Sequence, residues 1–309
     1  MTAVDITTEL VEVADRVYAH IQPDGGWCLN NSGLLASDEG VVVIDTAATE
    51  ERARRLIDRI ATLHAGTGRT VVNTHHHGDH TFGNHIVTDT GPVIAHENAR
   101  PEMADNGLAL TQLWPDVPWG DVRVTLPTIE FSDRLTVRWG GRAAELIYVG
   151  PAHTTNDIVV WLPEERVLFA GDVALSGCTP FVLMGSVAGS LDAIAQLRHL
   201  GATTIIGGHG PVSGPELLAE TESYLRWLTE LAQTGIDAQL TPLELARAAD
   251  RERFGELRDP ERLVANLHRA YAELNPDLRG VARAAPLDVV SIFGEMVEYN
   301  AGTLPTCLA

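Results

Sequence analysis

The segment Thr74-His75-His76-His77-Gly78-Asp79-His80 follows a short apolar strand that begins at Val71, and it decides the fold. Five of the twelve histidines of the chain lie between positions 75 and 85. Clustered imidazoles and a carboxylate would compete for protons unless a cation organised them, and they are the ligand types of zinc and similar metals. The spacing His-x-His-x-Asp-His therefore predicts a metal centre that uses His75, His77, Asp79 and His80.

Three further candidate ligands stand just beyond later predicted strands. His153 follows a strand over 146–149, Asp172 follows one over 167–169, and His209 follows one over 204–206. Each lies in a turn or among glycines, where the backbone can approach closely and side chains can converge. The first segment alone cannot complete two coordination shells, so we expect these residues to supply the missing ligands.

Composition excludes several classes of protein. The chain has 309 residues, 42 acidic and 22 basic, and every basic residue is arginine. The absence of lysine excludes Schiff-base and phosphate-loop lysine chemistry. The net charge of −20 argues against nucleic acid as a partner. No apolar run approaches the ~18 residues of a membrane span.

The N-terminal segment and the cysteines indicate the cellular compartment of the protein. The first twenty residues carry acids where a signal peptide would carry a basic region and an apolar run. Cys28, Cys178 and Cys307 are odd in number and far apart, which is typical of free thiols in a reducing compartment. The sequence therefore predicts a cytoplasmic protein, and it leaves the oligomeric state open.

Alternation of short β-rich runs with helices predicts two sheets with helices outside over residues 1–234. Residues 122–149 are predicted as a β-meander, and Ser213 with Glu216 as a capping box. Residues 235–309 are predicted as a helical extension that begins with a second capping box, Thr241 with Glu244. Its apolar stripes either pack on the main domain or also line a substrate pocket or a dimer contact.

The ordered set of motifs resembles the metallo-β-lactamase superfamily over residues 16–234. The resemblance implies an α+β fold, an αββα sandwich, with the metals at one sheet edge. It also implies two zinc ions, with Asp45 as a structural residue near them. The first zinc would be held by His75, His77 and His153, the second by Asp79, His80 and His209, and Asp172 would bridge the two.

A second resemblance runs through the whole chain, to the bifunctional cyclase/thioesterases of aromatic type II polyketide pathways, of the actinorhodin second-ring type. It implies that a carrier-protein-bound polyketide is closed into a second ring by aldol condensation and dehydration, then hydrolysed free. The segments that carry it are Gly25–Cys28, Gly107–Thr111, Leu113–Pro115, Val173–Val187 with Thr179–Phe181, Arg262–Arg269 and Tyr299–Ala309.

These resemblances lead to a hypothesis for the site. A metal-bound hydroxide held by Asp172 would attack the thioester, and Asp79 or that hydroxide would act as base. An acyl carrier protein would meet arginines of the first helix, because the acidic chain offers few other cations. Those arginines are Arg52, Arg54, Arg55 and Arg59. Candidate substrate-binding residues near the metal motifs are Trp27, Asn31, Phe82, Trp114, Phe181 and Met184.

Two alternatives stay open. A stand-alone metallo-hydrolase of small thioesters or lactones, similar to glyoxalase II, would use the same ligands, although its usual lysines are absent here. A metal-dependent redox or sensor module would hold iron in place of zinc. The commonest zinc β-lactamases carry cysteine where Asp172 stands and are exported, so the sequence disfavours that activity.

Overall fold

The computed structural model describes residues 7–64, 66, 68–88, 90–275 and 284–309. The β-rich runs form two sheets, of seven and five strands. The strands of the first sheet are β1 (Glu9–Ala14), β2 (Val17–Ile21), β3 (Ser32–Ala36), β4 (Val41–Ile44), β5 (Arg69–Val72), β6 (Val93–His96) and β7 (Ile129–Phe131). Those of the second are β8 (Arg134–Trp139), β9 (Arg142–Tyr148), β10 (Ile158–Leu162), β11 (Val167–Gly171) and β12 (Thr204–Gly207).

Each sheet mixes antiparallel and parallel pairs. In the first sheet the strands lie in chain order; β1 to β4 pair antiparallel, and β4 to β7 pair parallel. In the second sheet the order is β12-β11-β10-β9-β8, and only β11 and β12 pair parallel. Parallel strands end at a common sheet edge, so the loops after β4, β5, β11 and β12 can meet there.

Helices cover the outer faces of both sheets and, toward the C-terminus, form a separate core of their own. They are α1 (Glu50–Leu63), α2 (Gly78–Thr81), α3 (Asn84–Thr88), α4 (Ala99–Asn106), α5 (Leu110–Leu113), α6 (Val187–Leu200), α7 (Glu216–Asp237), α8 (Pro242–Ala248), α9 (Arg262–Leu274) and α10 (Val289–Tyr299). Leu56 and Ile60 of α1 pack on the first sheet, and Ile194 and Leu197 of α6 pack on the second. The predicted αββα architecture is confirmed.

The core between the sheets and a separate helical core hold the molecule together. Leu35 and Ile44 of the first sheet pack against Leu146 and Phe169 of the second, and all four are buried. A different cluster joins α7 to α10 with the loops around Trp114. Because α7 continues to Asp237, the predicted domain boundary at residue 234 falls inside a helix.

Two local predictions were wrong. Residues 122–128 form no strand, and β7 joins the first sheet beside β6. Of the predicted meander over 122–149, only β8 and β9 pair with each other. The Ser213 capping box is absent, because the Glu216 carboxylate accepts from the Gly214 amide and Ser213 contacts Ser176 instead. The second capping box, Thr241 with Glu244, is present as predicted.

The predicted arginine surface on α1 is smaller than the sequence indicated. Arg52 is only 2% exposed and donates to Gln22 Oε1 at 2.9 Å. Arg54 and Arg55 are paired with the acids one turn earlier, Glu50 and Glu51, and Arg59 donates to the Thr8 carbonyl at 3.0 Å. These contacts leave no concentrated positive patch on α1.

The cysteines are free thiols, as the sequence indicated. Within the described ranges, no helix combines the length and the apolar character that crossing a bilayer requires.

A matched pair of glycine substitutions tests the packing between the sheets. A Cβ at Gly33 on β3 would lie 2.6 Å from the Phe169 ring, so we expect Gly33→Ala to destabilise the protein by about 1–3 kcal/mol. A Cβ at Gly294 on α10 would meet open space, so Gly294→Ala should stabilise the protein by about 0.5–1 kcal/mol. Urea unfolding measures the free energy of unfolding of both variants. Equal changes in that free energy would contradict the assigned packing.

Candidate metal centre

Asp45 holds the start of the histidine-rich segment in place. It directly follows β4, and its carboxylate accepts from the Thr74 amide at 2.7 Å and from the Thr74 hydroxyl at 2.6 Å. His80 Nδ1 lies 2.9 Å from the same carboxylate. Because α2 begins at Gly78, soon after β5 ends, Asp79 and His80 lie in its single turn and face the sheet edge.

The seven predicted ligands converge at this edge. Their ligand atoms form three overlapping groups, within each of which all atoms lie within 4.8 Å of one another. The groups are His75, His77 and His153; His75, His80 and Asp172; and Asp79, His80 and His209. Asp172 lies between the histidines of the two predicted sites, 3.3 Å from His80 Nε2 and 3.4 Å from His153 Nε2. This is the position that a bridging ligand requires.

Each of the five histidines has one ring nitrogen occupied by a contact outside the centre. Such contacts fix the tautomer and orientation of a metal-ligating imidazole and leave the other nitrogen free for the metal. The outer contacts are His75 Nδ1 with Thr74 Oγ1 (3.1 Å), His80 Nδ1 with Asp45 (2.9 Å), His209 Nδ1 with the Gly25 carbonyl (3.1 Å), His153 Nδ1 with the Phe181 carbonyl (2.5 Å) and His77 Nε2 with Met184 Sδ (3.2 Å).

The inner atoms of the cluster fit a cation. His75 Nε2, His80 Nε2 and Asp172 Oδ1 are buried and have no hydrogen-bond partner. The inner nitrogens of His77 and His153 face each other at 2.9 Å. Buried polar atoms without partners are costly, and a metal ion would satisfy them with ligand types that zinc prefers. The donor set therefore fits two divalent metal ions.

The charges of the cluster match this requirement. Burial lowers the pKa of His75 and His77 well below the ordinary value, so both are neutral ligands at neutral pH. Burial opposes ionisation of Asp79 and Asp172, but the surrounding histidines outweigh it and hold both pKa values below the usual range. Neutral imidazoles and ionised carboxylates are the forms that bind metals. His80 differs: burial opposes its charged form, but the carboxylates of Asp172, Asp79 and Asp45 outweigh burial and raise its pKa well above the ordinary value, so a metal would have to displace this proton.

A glycine makes room for the bridging carboxylate. Gly208 follows β12, and a Cβ built on it would lie 1.8 Å from Asp172 Oδ1. Any side chain at this position would therefore displace Asp172, which explains why this loop carries glycine before His209.

The centre opens into a cavity of about 470 Å³. Trp27, Phe82, Trp114, Phe181 and Met184, which the sequence proposed as substrate-binding residues, all line it. Val289, Phe293 and Met296 of α10 form another wall, so the apolar stripe of the C-terminal extension faces the cavity as well as the helical core. Their role toward a substrate stays a prediction.

Asn31 does not line this cavity, which corrects its prediction as a substrate-binding residue. Its side-chain amide donates to the carbonyls of Gly207 and Gly210, at 2.9 and 2.7 Å. It fixes the loop that carries His209, and it is 4% exposed, so it has no surface to offer a substrate.

Sequence reasoning missed two residues that hold the aromatic wall. The Trp27 indole donates to Glu261 Oε1 at 2.7 Å, and the Arg262 guanidinium lies 4.1 Å from the centre of the Trp27 ring. Arg262 is buried and pairs with Asp259 at 2.8 Å. Both residues are more than 230 positions from Trp27 in sequence, so no local spacing could connect them.

Comparisons with known proteins agree with this geometry. A family model described as the metallo-beta-lactamase superfamily matches residues 25–209. A metallo-beta-lactamase type 2 of Bacteroides fragilis is 23% identical over 235 residues, which are 72% of this chain and 86% of that protein. A hydroxyacylglutathione hydrolase of Synechococcus sp. (strain JA-3-3Ab) is 29% identical over 152 residues, 49% of this chain and 52% of that protein.

A solved structure has the same fold. The metallo-beta-lactamase from Pontibacter korlensis aligns with a TM-score of 0.59 and 23% identity, covering 71% of this chain and 99% of that one. The chain belongs to the metallo-beta-lactamase superfamily. Together with the buried histidine and aspartate clusters, this membership defines a metal-dependent hydrolase.

Removing one ligand should remove metal and activity together. We expect His77→Ala and Asp172→Ala to bind fewer metal ions than the parent protein, because each leaves an incomplete ligand set. Turnover should fall by more than the roughly 10–100-fold that loss of an outer contact costs. Mass spectrometry of bound metals and a hydrolase assay measure the two effects. His199→Gln, on the exposed face of α6, is the control; full metal content in Asp172→Ala would contradict the assignment.

Proposed function

We propose that this chain hydrolyses thioesters whose acyl part is large and apolar. The observation that carries the proposal is the position of the predicted ligands at one end of a cavity walled by aromatic and aliphatic side chains. The similarity to a hydroxyacylglutathione hydrolase supports the reaction, since a hydroxyacylglutathione is a thioester. The apolar walls favour a bulkier acyl group.

The residues of the centre would have different roles in hydrolysis. The histidine and aspartate groups of the centre would hold divalent cations, which would supply a water of lowered pKa, about 7, and polarise the carbonyl oxygen of the substrate. Asp172 orients the reacting groups from its place between the two sites. Asp79 lies 3.4 Å from His209 Nε2 and stays ionised, which suits it as a ligand of the second site. Because its pKa is held below the usual range, Asp79 is a weak base, which disfavours its predicted role as general base.

The cavity orients the acyl group. Trp27 contacts Trp114 at 5.5 Å and Phe181 at 5.2 Å between ring centres, which places three rings on one side of the cavity. Such a wall suits a flat, conjugated acyl group because aromatic faces pack closely on one another. The substrate would thus present its carbonyl to the metal centre with its apolar part against these rings.

A second candidate function is that of a cyclase/thioesterase, which would act in the cytoplasm on aromatic polyketides bound to an acyl carrier protein. The aromatic wall favours it, as do the sequence segments that resemble such enzymes. Neither relative described above carries that name, and α1 offers no arginine patch for a carrier. The second-ring closure is therefore proposed only as an activity additional to hydrolysis.

A panel of substrates tests the main proposal. We expect the N-acetylcysteamine thioester of 2-naphthoic acid to be hydrolysed more efficiently than S-lactoylglutathione, and a metal chelator to abolish both reactions. Thiol release measures the rates. Faster turnover of S-lactoylglutathione would favour the small-thioester alternative, and turnover of a cephalosporin alone would contradict thioester hydrolysis. Bound iron in place of zinc would favour the redox alternative.

A carrier-bound polyketide tests the second candidate. Product analysis by mass spectrometry distinguishes a ring-closed, dehydrated product from the linear acid that simple hydrolysis releases. Release of the linear acid alone would exclude the cyclase.

The aromatic wall should affect only aromatic substrates. Trp27→Leu removes one ring of the wall, so we expect kcat/KM for the naphthoyl thioester to fall about 3–10-fold, the size of one lost aromatic contact. The N-acetylcysteamine thioester of acetic acid, which has no ring, should react as fast as with the parent protein. Trp227→Leu is the matched control, because Trp227 packs on Tyr224 and Phe254 outside the cavity. Equal losses for both thioesters would show that Trp27 does not select the acyl group.

A further inference from the structure

Helix α9 presents three buried polar side chains to a neighbouring loop. Arg262, Asn266 and Arg269 are spaced four and three residues apart and lie on one face of the helix. All three are at most 2% exposed. A helix face that buries two guanidinium groups and an amide must satisfy them with specific partners.

The partners are backbone groups of the loop over residues 179–184, here called the anchored loop. Arg262 donates to the Thr179 carbonyl at 3.1 Å, and Arg269 donates to the Leu183 carbonyl at 2.7 Å. Asn266 lies between them, donates to the Tyr224 hydroxyl at 3.0 Å and makes two contacts of opposite kind with the anchored loop. Its amide nitrogen donates to the Pro180 carbonyl at 2.7 Å, and its amide oxygen accepts from the Val182 amide at 2.9 Å.

The Asn266 contacts bracket Phe181 and thereby fix the peptide between them. Pro180 and Val182 flank Phe181, so holding both neighbours sets the direction of the Phe181 carbonyl. That carbonyl accepts from His153 Nδ1 at 2.5 Å. Met184, at the end of the anchored loop, places its sulfur 3.2 Å from His77 Nε2. The anchored loop therefore contacts two of the three histidines predicted for the first metal.

We propose that Asn266 is a positioning residue for the first metal site, acting through the anchored loop. It holds the Phe181 carbonyl so that His153 keeps its proton on Nδ1 and offers Nε2 to the metal. Arg262 and Arg269 hold the two ends of the same loop. This assigns α9 of the C-terminal extension to the metal centre, and it rests on the metal-binding part of the proposed function.

Zinc affinity of single variants tests this inference. Asn266→Ala removes both contacts to the anchored loop, so we expect one of the two zinc ions to bind more weakly, by up to about 10-fold. This is the lower end of the cost of losing a contact made directly to a ligand, because the Phe181 carbonyl itself is kept. The other zinc ion should bind as in the parent protein. Competition with a chromophoric chelator measures both affinities without any substrate. His268→Gln is the control, because His268 lies on the same helix but pairs with Glu295.

A second measurement keeps the test independent of activity and of folding. In the metal-free protein, hydrogen exchange at the Val182 amide should be faster in Asn266→Ala than in the parent. Asn266→Asp keeps an acceptor for the Val182 amide and loses the donor to the Pro180 carbonyl, so the exchange rate of that amide should lie between those of the parent and of Asn266→Ala. This variant replaces Asn266→Ala in both measurements if the alanine variant fails to fold. A folded Asn266→Ala or Asn266→Asp protein with parental zinc affinity at both sites would overturn the proposal.

Failure of the proposed function gives a different pattern. A parent protein that binds two zinc ions but leaves every thioester intact would contradict thioester hydrolysis, while the zinc affinities of the Asn266 variants would still decide the inference. A parent protein that binds no zinc would overturn the inference together with the metal centre.

Discussion

The Asp45 carboxylate is the contact on which the arrangement of the site depends. It joins the end of β4 to Thr74 and His80, and so fixes where the histidine-rich segment leaves the first sheet. Once that segment is placed, the inner nitrogens of its histidines can meet Asp172 and His209 from the second sheet only at the shared edge. A single buried carboxylate thus places the three imidazoles of that segment, and the buried unpaired atoms of the cluster then require a cation.

The ligand set was predictable because its signal is local. His75, His77, Asp79 and His80 share one short segment, and the later ligands each follow a recognisable strand. The sheets and the outer helices were also predictable, because hydrophobic periodicity reports which face of an element is buried. The strand at Glu9–Ala14 was not predicted, since its side chains are largely half-buried and its pattern is weak.

Errors arose where a polar side chain is buried by distant parts of the chain. Asn31 and Arg52 look like surface or pocket residues in sequence, yet each satisfies backbone or side-chain groups more than 25 residues away. The same reason hid Glu261, Arg262 and Asn266, whose partners lie in the N-terminal half or in the loop before α6. Helical periodicity identifies the apolar stripe of α9, but it says nothing about which carbonyl groups its polar face will meet.

The placement of the ligands on both sheets has a consequence for folding. His75 to His80 leave the first sheet, whereas His153, Asp172 and His209 leave the second, so bound metal would fasten the two layers together at one edge. A ligand that binds only the native state adds about 2.7 kcal/mol of stability at a concentration one hundred times its dissociation constant. The thermal stability of the protein would therefore rise with the supply of metal. In a cell short of metal, the two sheets would separate more easily and the chain would be more readily cleaved by proteases.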